Sequence, residues 1–266
     1  MNEKWINRIR ILCIFIFSLV FFVSAGILLV HFVMGAKEES DFQKLAQQVT
    51  FSPESGATAV DTPTVSKPNY TPLIEKNKDF AAWLSLDGTK LDYPVMFTPN
   101  DPHYYLRRNF DKQYSLSGTP FIDGASNLNS ANILLHGHNM KNGSMFAPIM
   151  DYQKESFWQE HPSLEFNTKD EFGEYEIVSA FFTKIYPEDA QNVFRYEEYS
   201  GINDEKSYEE YVQAVRSLSL YNTGVDPDFG TQLITLSTCD NVTQEGRFVV
   251  VAAKKAPPAQ KEAKAA

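Results

Sequence analysis

The chain is predicted to fold mainly as β-structure with a few added helices, as a closed or nearly closed barrel. Three observations lead there. Short apolar runs bounded by turn residues dominate the middle of the chain, an Asp-Gly pair marks a tight hairpin, and helical periodicity is confined to a few stretches.

The first element is of another kind. From Ile11 to Met34 the sequence reads ILCIFIFSLVFFVSAGILLVHFVM, 24 residues without a formal charge when His31 is neutral. About 20 apolar residues cross a hydrocarbon core, so the segment is expected to be a transmembrane anchor. Lys4, Arg8 and Arg10 precede it, and Lys37, Glu38, Glu39 and Asp41 follow. The positive-inside rule then leaves residues 1–10 in the cytoplasm and sends the remainder outside. A cleaved signal peptide would use Ser24-Ala25-Gly26 as its cleavage site. Its apolar region is usually about 7–15 residues, so the longer run favours an uncleaved anchor.

Residues 35–70 read as an extracellular spacer rich in Ser, Thr, Pro and Ala, with a short helix over Glu38–Gln48. Residues 254–266 form a low-complexity tail expected to be disordered. Between them, 71–253 is one domain. AAWLSLDGTKLDYPVMF predicts two strands around Asp87-Gly88, and GTPFID, SANILLHGH, EYEIVSAFFTKIY, QLITLSTC and RFVVVAAK predict further strands. SMFAPIMDYQKESFWQEHP has helical spacing and ends before a proline. A longer helix is expected in DEKSYEEYVQAVRSLSLY, with Tyr208, Tyr211, Val212, Val215 and Leu218 on one face and Ser207 and Glu210 as a capping box.

Charge narrows the function. Residues 37–250 carry 17 Lys+Arg and 32 Asp+Glu, a net of −15, which would repel a phosphate backbone and argues against nucleic-acid binding. The chain has two cysteines. Cys13 lies within the anchor, so Cys239 has no partner in the outer domain. A leftover cysteine there points to a reactive thiol or to an intermolecular bond, against the plainer reading of a buried, inert one.

Its surroundings favour reactivity. Cys239 ends the apolar run LITLSTC and precedes the polar DNVTQEG, a place held by a strand and open to a loop. A thiol with a free pKa near 8.5 needs a base or a positive charge to become a good nucleophile. His31 lies in the anchor, and His103 and His161 adjoin prolines. That leaves His136 and His138 in LLHGHNM. With Cys239 they would make a His₂Cys metal set, but an H-x-H pair alone is a weak signal, and Gly137 suggests that the strand is already turning. An acid/base histidine is preferred, with no metal and no cofactor. Arg247 stands eight residues after Cys239 on the next strand. It stays protonated, so it is no base, but it can donate to a carbonyl oxygen as charge develops.

The combination TLSTC, a downstream Arg247 and an upstream GHNM resembles the sortases, membrane-anchored cysteine transpeptidases of Gram-positive surfaces. WLSLDGTKLDYPV, SGTPFID and NGSMFAPIMDY extend the likeness over nearly the whole domain, and the helix at 204–221 resembles the class B branch. The resemblance implies a closed barrel of about eight strands with N-terminal helices and a long helix before the last strands. It also implies cleavage of a C-terminal sorting signal of surface proteins, LPXTG-like or NPQTN-like, through a thioacyl intermediate. The acceptor would be an amine of a lipid II-type cell-wall precursor or a pilin lysine; a thiol protease that hydrolyses its intermediate is the alternative. The implied roles are Cys239 as nucleophile, His138 as general acid/base and Arg247 as carbonyl donor, with Ser237 and Tyr196 near the substrate. His136 is a departure, because class B members often carry Tyr there.

Overall fold

A computed structural model describes residues 3–52 and 67–256. The parts of the expected spacer and tail at 53–66 and 257–266 lie outside the described residues. The chain divides into two compact units, residues 1–42 and 43–266. No proline interrupts the sequence before position 53, and helix α1 runs unbroken over Glu3–Ala46. It takes in both the apolar run and the short helix expected after it. Its large apolar side chains from Ile11 to Met34 are exposed, and the helix is long and apolar enough to cross a membrane, with mean hydropathy 2.8 over its best window.

In the second unit β1 (Thr50–Ser52) pairs antiparallel with β2 (Lys67–Asn69), so part of the expected spacer has regular structure. Helix α2 (Thr71–Lys76) follows. The barrel consists of β3 (Phe80–Ser85), β4 (Asp92–Met96), β5 (Phe121–Ile122), β6 (Asn132–His136), β7 (Ser163–Thr168), β8 (Phe172–Lys184), β9 (Leu233–Cys239) and β10 (Gly246–Lys254). These eight strands close in the order β10-β8-β7-β3-β4-β5-β6-β9. Pairing is antiparallel except at β4–β5 and β6–β9, which are parallel. Closure leaves no free edge in the barrel.

Three elements differ from the sequence reading. β7 was not expected: Leu164 and Phe166 are its only buried large apolar side chains, and pairing to β8 and β3 defines it. The helix expected across Ser144–Pro162 splits into a 3-10 helix, Ala147–Gln153, and α3, Glu155–Glu160, because Lys154 between them is extended. Helix α4 spans Glu205–Leu218. Asp204 caps it by accepting from Ser207 N–H at 2.9 Å, in place of the expected box from Ser207 to Glu210. It ends short of Tyr221 because Leu220 N–H donates to Ala180 O of β8 at 2.9 Å.

Strand alternation sorts the core into two faces. Leu233, Val249, Val251 and Ala253 pack with Tyr208, Tyr211, Val212 and Val215 of α4 and with Tyr196. On the alternate positions Ile234, Leu236, Phe248, Val250 and Ala252 have no exposed surface. Both faces are covered, which explains why β9 and β10 read as near-continuous apolar runs. Each fully buried aliphatic or aromatic side chain contributes about 1.5–3 kcal/mol.

A polar chain crosses this packing. Thr235 Oγ1 donates its single hydrogen to Asn132 Oδ1 at 2.8 Å, so the Tyr211 hydroxyl, 2.6 Å away, must donate to Thr235. Asn132 Nδ2 in turn donates to Tyr199 O at 2.9 Å. The chain joins α4, β9 and β6 inside a buried region, where an orphaned group is costly. Tyr211→Phe should therefore lower unfolding free energy by about 1 kcal/mol with the urea m-value unchanged. Equal urea midpoints for parent and variant would show that this bond contributes nothing net.

Candidate active site

The β9–β10 hairpin fixes the first two groups. Cys239 is the last residue of β9, and its Cα partner across the ladder is Arg247 of β10. The turn between them is held from inside. Asp240 Oδ1 accepts from Val242 N–H and Thr243 N–H, both at 2.9 Å, and Asp240 N–H donates to Gly246 O at 3.2 Å. A Cβ on Gly246 would clash with the Asp240 carboxylate, so any larger residue there would force that carboxylate out of its bonds to the turn.

By alternation Cys239 and Arg247 share the face of Ser237 and Val249. The Ser237 hydroxyl meets the Tyr196 hydroxyl at 2.7 Å, and both residues are buried. Burial, the main cause, pushes the Tyr196 phenol up to about 12; a nearby thiol group at Cys239 and Glu197 add to this, while Ser237 and Arg247 oppose it. A neutral phenol therefore lies within electrostatic range of both Cys239 and Arg247. The Arg247 side chain is 23% exposed. Nη1 donates to Gly246 O at 3.0 Å, and Nη2 stands 3.8 Å from Glu245 Oε2, outside hydrogen-bond reach. Among the described residues no carboxylate pairs tightly with its fork of donors.

The histidine arrives on the neighbouring strand. β6 lies parallel to β9 with His136 opposite Ser237, so His138 and Cys239 each lie two residues further toward the same end. Gly137 N–H donates to Ser237 O at 3.2 Å, and Thr238 Oγ1 donates to Gly137 O at 2.7 Å. A Cβ on Gly137 would collide with the Phe146 ring at 2.5 Å; the glycine is what lets the chain pass. His138 Nε2 lies 3.0 Å from Leu106 O, in the 3-10 helix Tyr104–Arg107. A carbonyl only accepts, so the neutral ring carries its proton on Nε2 and leaves Nδ1 with the lone pair. Burial, foremost, and the Arg107 charge lower the His138 pKa from the usual histidine range, against the pull of the Leu106 carbonyl.

His136 is occupied elsewhere. Its Nε2 is 3.0 Å from Asp123 Oδ2, while Asp123 Oδ1 accepts from Ser200 Oγ at 2.8 Å. Among the described residues no group of three or more His, Cys, Asp or Glu side chains is arranged to hold a metal ion. The sequence reading missed four supports of the site: Asp123, the Leu106 carbonyl, Asn139 and Asn241. Asn139 Nδ2 donates to Cys239 O at 3.0 Å, and Asn241 Nδ2 donates to Asn139 O at 2.9 Å. Asp123 ends the FID run that pairs with β6 and was findable from that pairing. A backbone carbonyl carries no sequence signal.

The residues carrying thiol, imidazole and guanidinium thus lie at the same end of three neighbouring barrel strands, a combination suited to acyl transfer through a thioester. The family model described as Sortase domain matches residues 84–255. Sortase B of Staphylococcus aureus is 28% identical over 227 residues, covering 83% of this chain and 86% of that protein. Sortase B of Listeria monocytogenes is 32% identical over 182 residues, covering 67% and 70%. A Staphylococcus aureus sortase B–substrate complex superposes with a TM-score of 0.60 at 28% identity, covering 70% of this chain and 84% of that one. The chain belongs to the sortase family and is a sortase B-type cysteine transpeptidase.

The Asp123 pair makes a pH-dependent prediction. Burial alone would raise this carboxyl, but bonds from His136, Ala125 N–H and Ser200 outweigh it and hold it at about 2. A folded pKa below the unfolded value near 3.9 gives stability that is present above about pH 4 and lost as pH falls toward 2. Asp123→Asn should remove that part of the acid sensitivity, seen as a shallower decline of the urea midpoint between about pH 4 and 2. A decline as steep as the parent's would assign the acid sensitivity to other carboxylates.

Proposed function

We propose that residues 71–253 form a catalytic domain held outside the cell by a single-pass anchor, residues 11–34, with residues 1–10 in the cytoplasm. It cleaves the C-terminal sorting signal of surface proteins and transfers the acyl part to an amine of a cell-wall precursor. In the first step Cys239 Sγ attacks the carbonyl carbon of a Thr-Gly-like bond, and His138 takes the thiol proton. His138 then protonates the departing amine as the C–N bond breaks, leaving a thioester. In the second step the acceptor amine attacks the thioester carbon, gives a proton to His138, and the Cys239 thiolate leaves. Arg247 donates to the carbonyl oxygen while it carries negative charge. Nδ1 is the nitrogen of His138 that exchanges the proton, since Leu106 O engages Nε2. Ser237 and Tyr196, buried and bonded to each other, support the peptide site from beneath.

The observation that carries this reading is the pairing of Cys239 with Arg247 across one hairpin, with His138 extending from the strand parallel to β9. The related Staphylococcus aureus structure with bound substrate supports a sorting-signal peptide as the ligand.

Cys239→Ala should fold normally and give no acyl-enzyme with any sorting peptide in intact-mass spectrometry. His138→Ala should lose at least about two orders of magnitude in acylation rate, and His136→Ala much less, because its partner is Asp123. The reverse ranking would assign the acid/base role to His136, and inhibition by a chelator would point to a metal.

Arg247 is tested separately. Were it only a surface partner of Glu245, Arg247→Ala would change stability by at most about 1 kcal/mol and leave rates intact. As a carbonyl donor it should cost roughly 2.7–4 kcal/mol of barrier, about 10²–10³ in acylation rate. Arg247→Lys should also be slow, since lysine keeps the charge without the planar fork. Parental acylation in both variants, at matched melting temperatures, would remove Arg247 from the reaction.

A further inference from the structure

Two asparagines close on each other beside the cysteine. Asn139 follows His138 directly and Asn241 lies two residues after Cys239. The Asn139 side chain donates to the carbonyl of Cys239 itself at 3.0 Å. The Asn139 carbonyl accepts in return from the Asn241 side chain at 2.9 Å. The strand ladder ends at His136 and Ser237, and beyond it the two loops are joined by side chains. Thr238 holds Gly137, Asn139 holds Cys239, and Asn241 holds Asn139. The other side of the histidine loop is fixed as well, by the bridge between Asn139 and Met145 and by Phe146 N–H donating to His138 O at 2.9 Å. Asn241 adopts φ 61°, a left-handed conformation that asparagine accepts more readily than most residues, and this turns its amide toward Asn139.

We propose that Asn139 and Asn241 are positioning residues, a reciprocal clasp that sets the separation between His138 and Cys239 for proton transfer. Neither side chain contacts the reacting atoms in this role; each acts through the backbone that carries a reacting group. The inference rests on the proposed assignment of Cys239 and His138. A displacement of about 1 Å in reacting groups can cost about 10²-fold in rate, whereas binding of the peptide along the strands would be little affected. The clasp therefore belongs in kcat of acylation and not in KM.

The test uses the full chain in detergent with a sorting peptide that acylates the parent. Asn139→Ala removes the amide on one loop. Asn241→Gly removes it on the other and keeps the left-handed backbone open to the chain; its position is exposed, so it carries the test alone if Asn139→Ala fails to fold. Each is expected to lower kcat for acylation about 10–100-fold at nearly unchanged KM. The double variant should be no slower than about the slower single, because both bonds hold one coordinate. Parental kcat in the folded single variants, or a loss confined to KM, would each overturn the clasp. Cys239→Ala and His138→Ala are the controls: if either acylates at the parental rate, the assignment fails and the clasp with it. If both are inactive and the asparagine variants are not impaired, the clasp alone is wrong.

Discussion

The parallel pairing of β6 with β9 is the constraint on which the site depends. Two antiparallel strands joined by a tight turn bring only near neighbours in sequence together, as Cys239 and Arg247 show. A parallel pair instead aligns segments about a hundred residues apart and points both toward the same end of the barrel. The register His136 opposite Ser237 fixes the place of His138 relative to Cys239. A slip of one residue would turn Ser237 and Cys239 to the opposite face and the apolar Leu236 toward the site. The buried chain Tyr211–Thr235–Asn132 ties that register to α4, so the helix placed before the last strands stabilises the ladder from outside.

The electrostatics follow from burial on this frame. Residues 37–250 are acidic overall, yet the groups singled out at the barrel end are a thiol, a neutral phenol, an imidazole and a guanidinium. Desolvation lowers the pKa of His138 and the Arg107 charge lowers it further, favouring the neutral ring that a proton acceptor needs. Arg247 is held by a backbone carbonyl and stands back from Glu245. A guanidinium already locked in a short carboxylate pair would have little left to offer an oxyanion; among the described residues this one has no such pair. His136, two residues from His138, is spent on Asp123. That difference in partner, not in residue type, separates the two histidines.

Residue types and order within the sequence were enough for much of this. The long apolar helix was legible because 24 uncharged residues in a row leave few other structures, and the strands were legible because β-structure leaves a period of two or a short apolar run. Cys239 stood out by arithmetic, the one cysteine after the apolar segment, and Arg247 by lying on the far strand of the same hairpin. His138 was chosen over His136 by the glycine before it and by family likeness. In the structure the two differ in partner, Asp123 for His136 and Leu106 O for His138.

Tertiary structure alone decided what depends on groups distant in the chain. β7 exists because β8 and β3 flank it; its own residues specify it weakly. The expected helix over 144–162 breaks at an extended Lys154, and α4 ends where a β8 carbonyl captures Leu220. Leu106 O fixes the tautomer of His138, and any residue at position 106 would bring the same carbonyl, so no sequence pattern could announce it. Asn139 and Asn241 read locally as polar loop residues, a hundred positions apart. Only the parallel ladder brings them together, because hydrogen bonds act over about 3 Å of space whatever the distance along the chain.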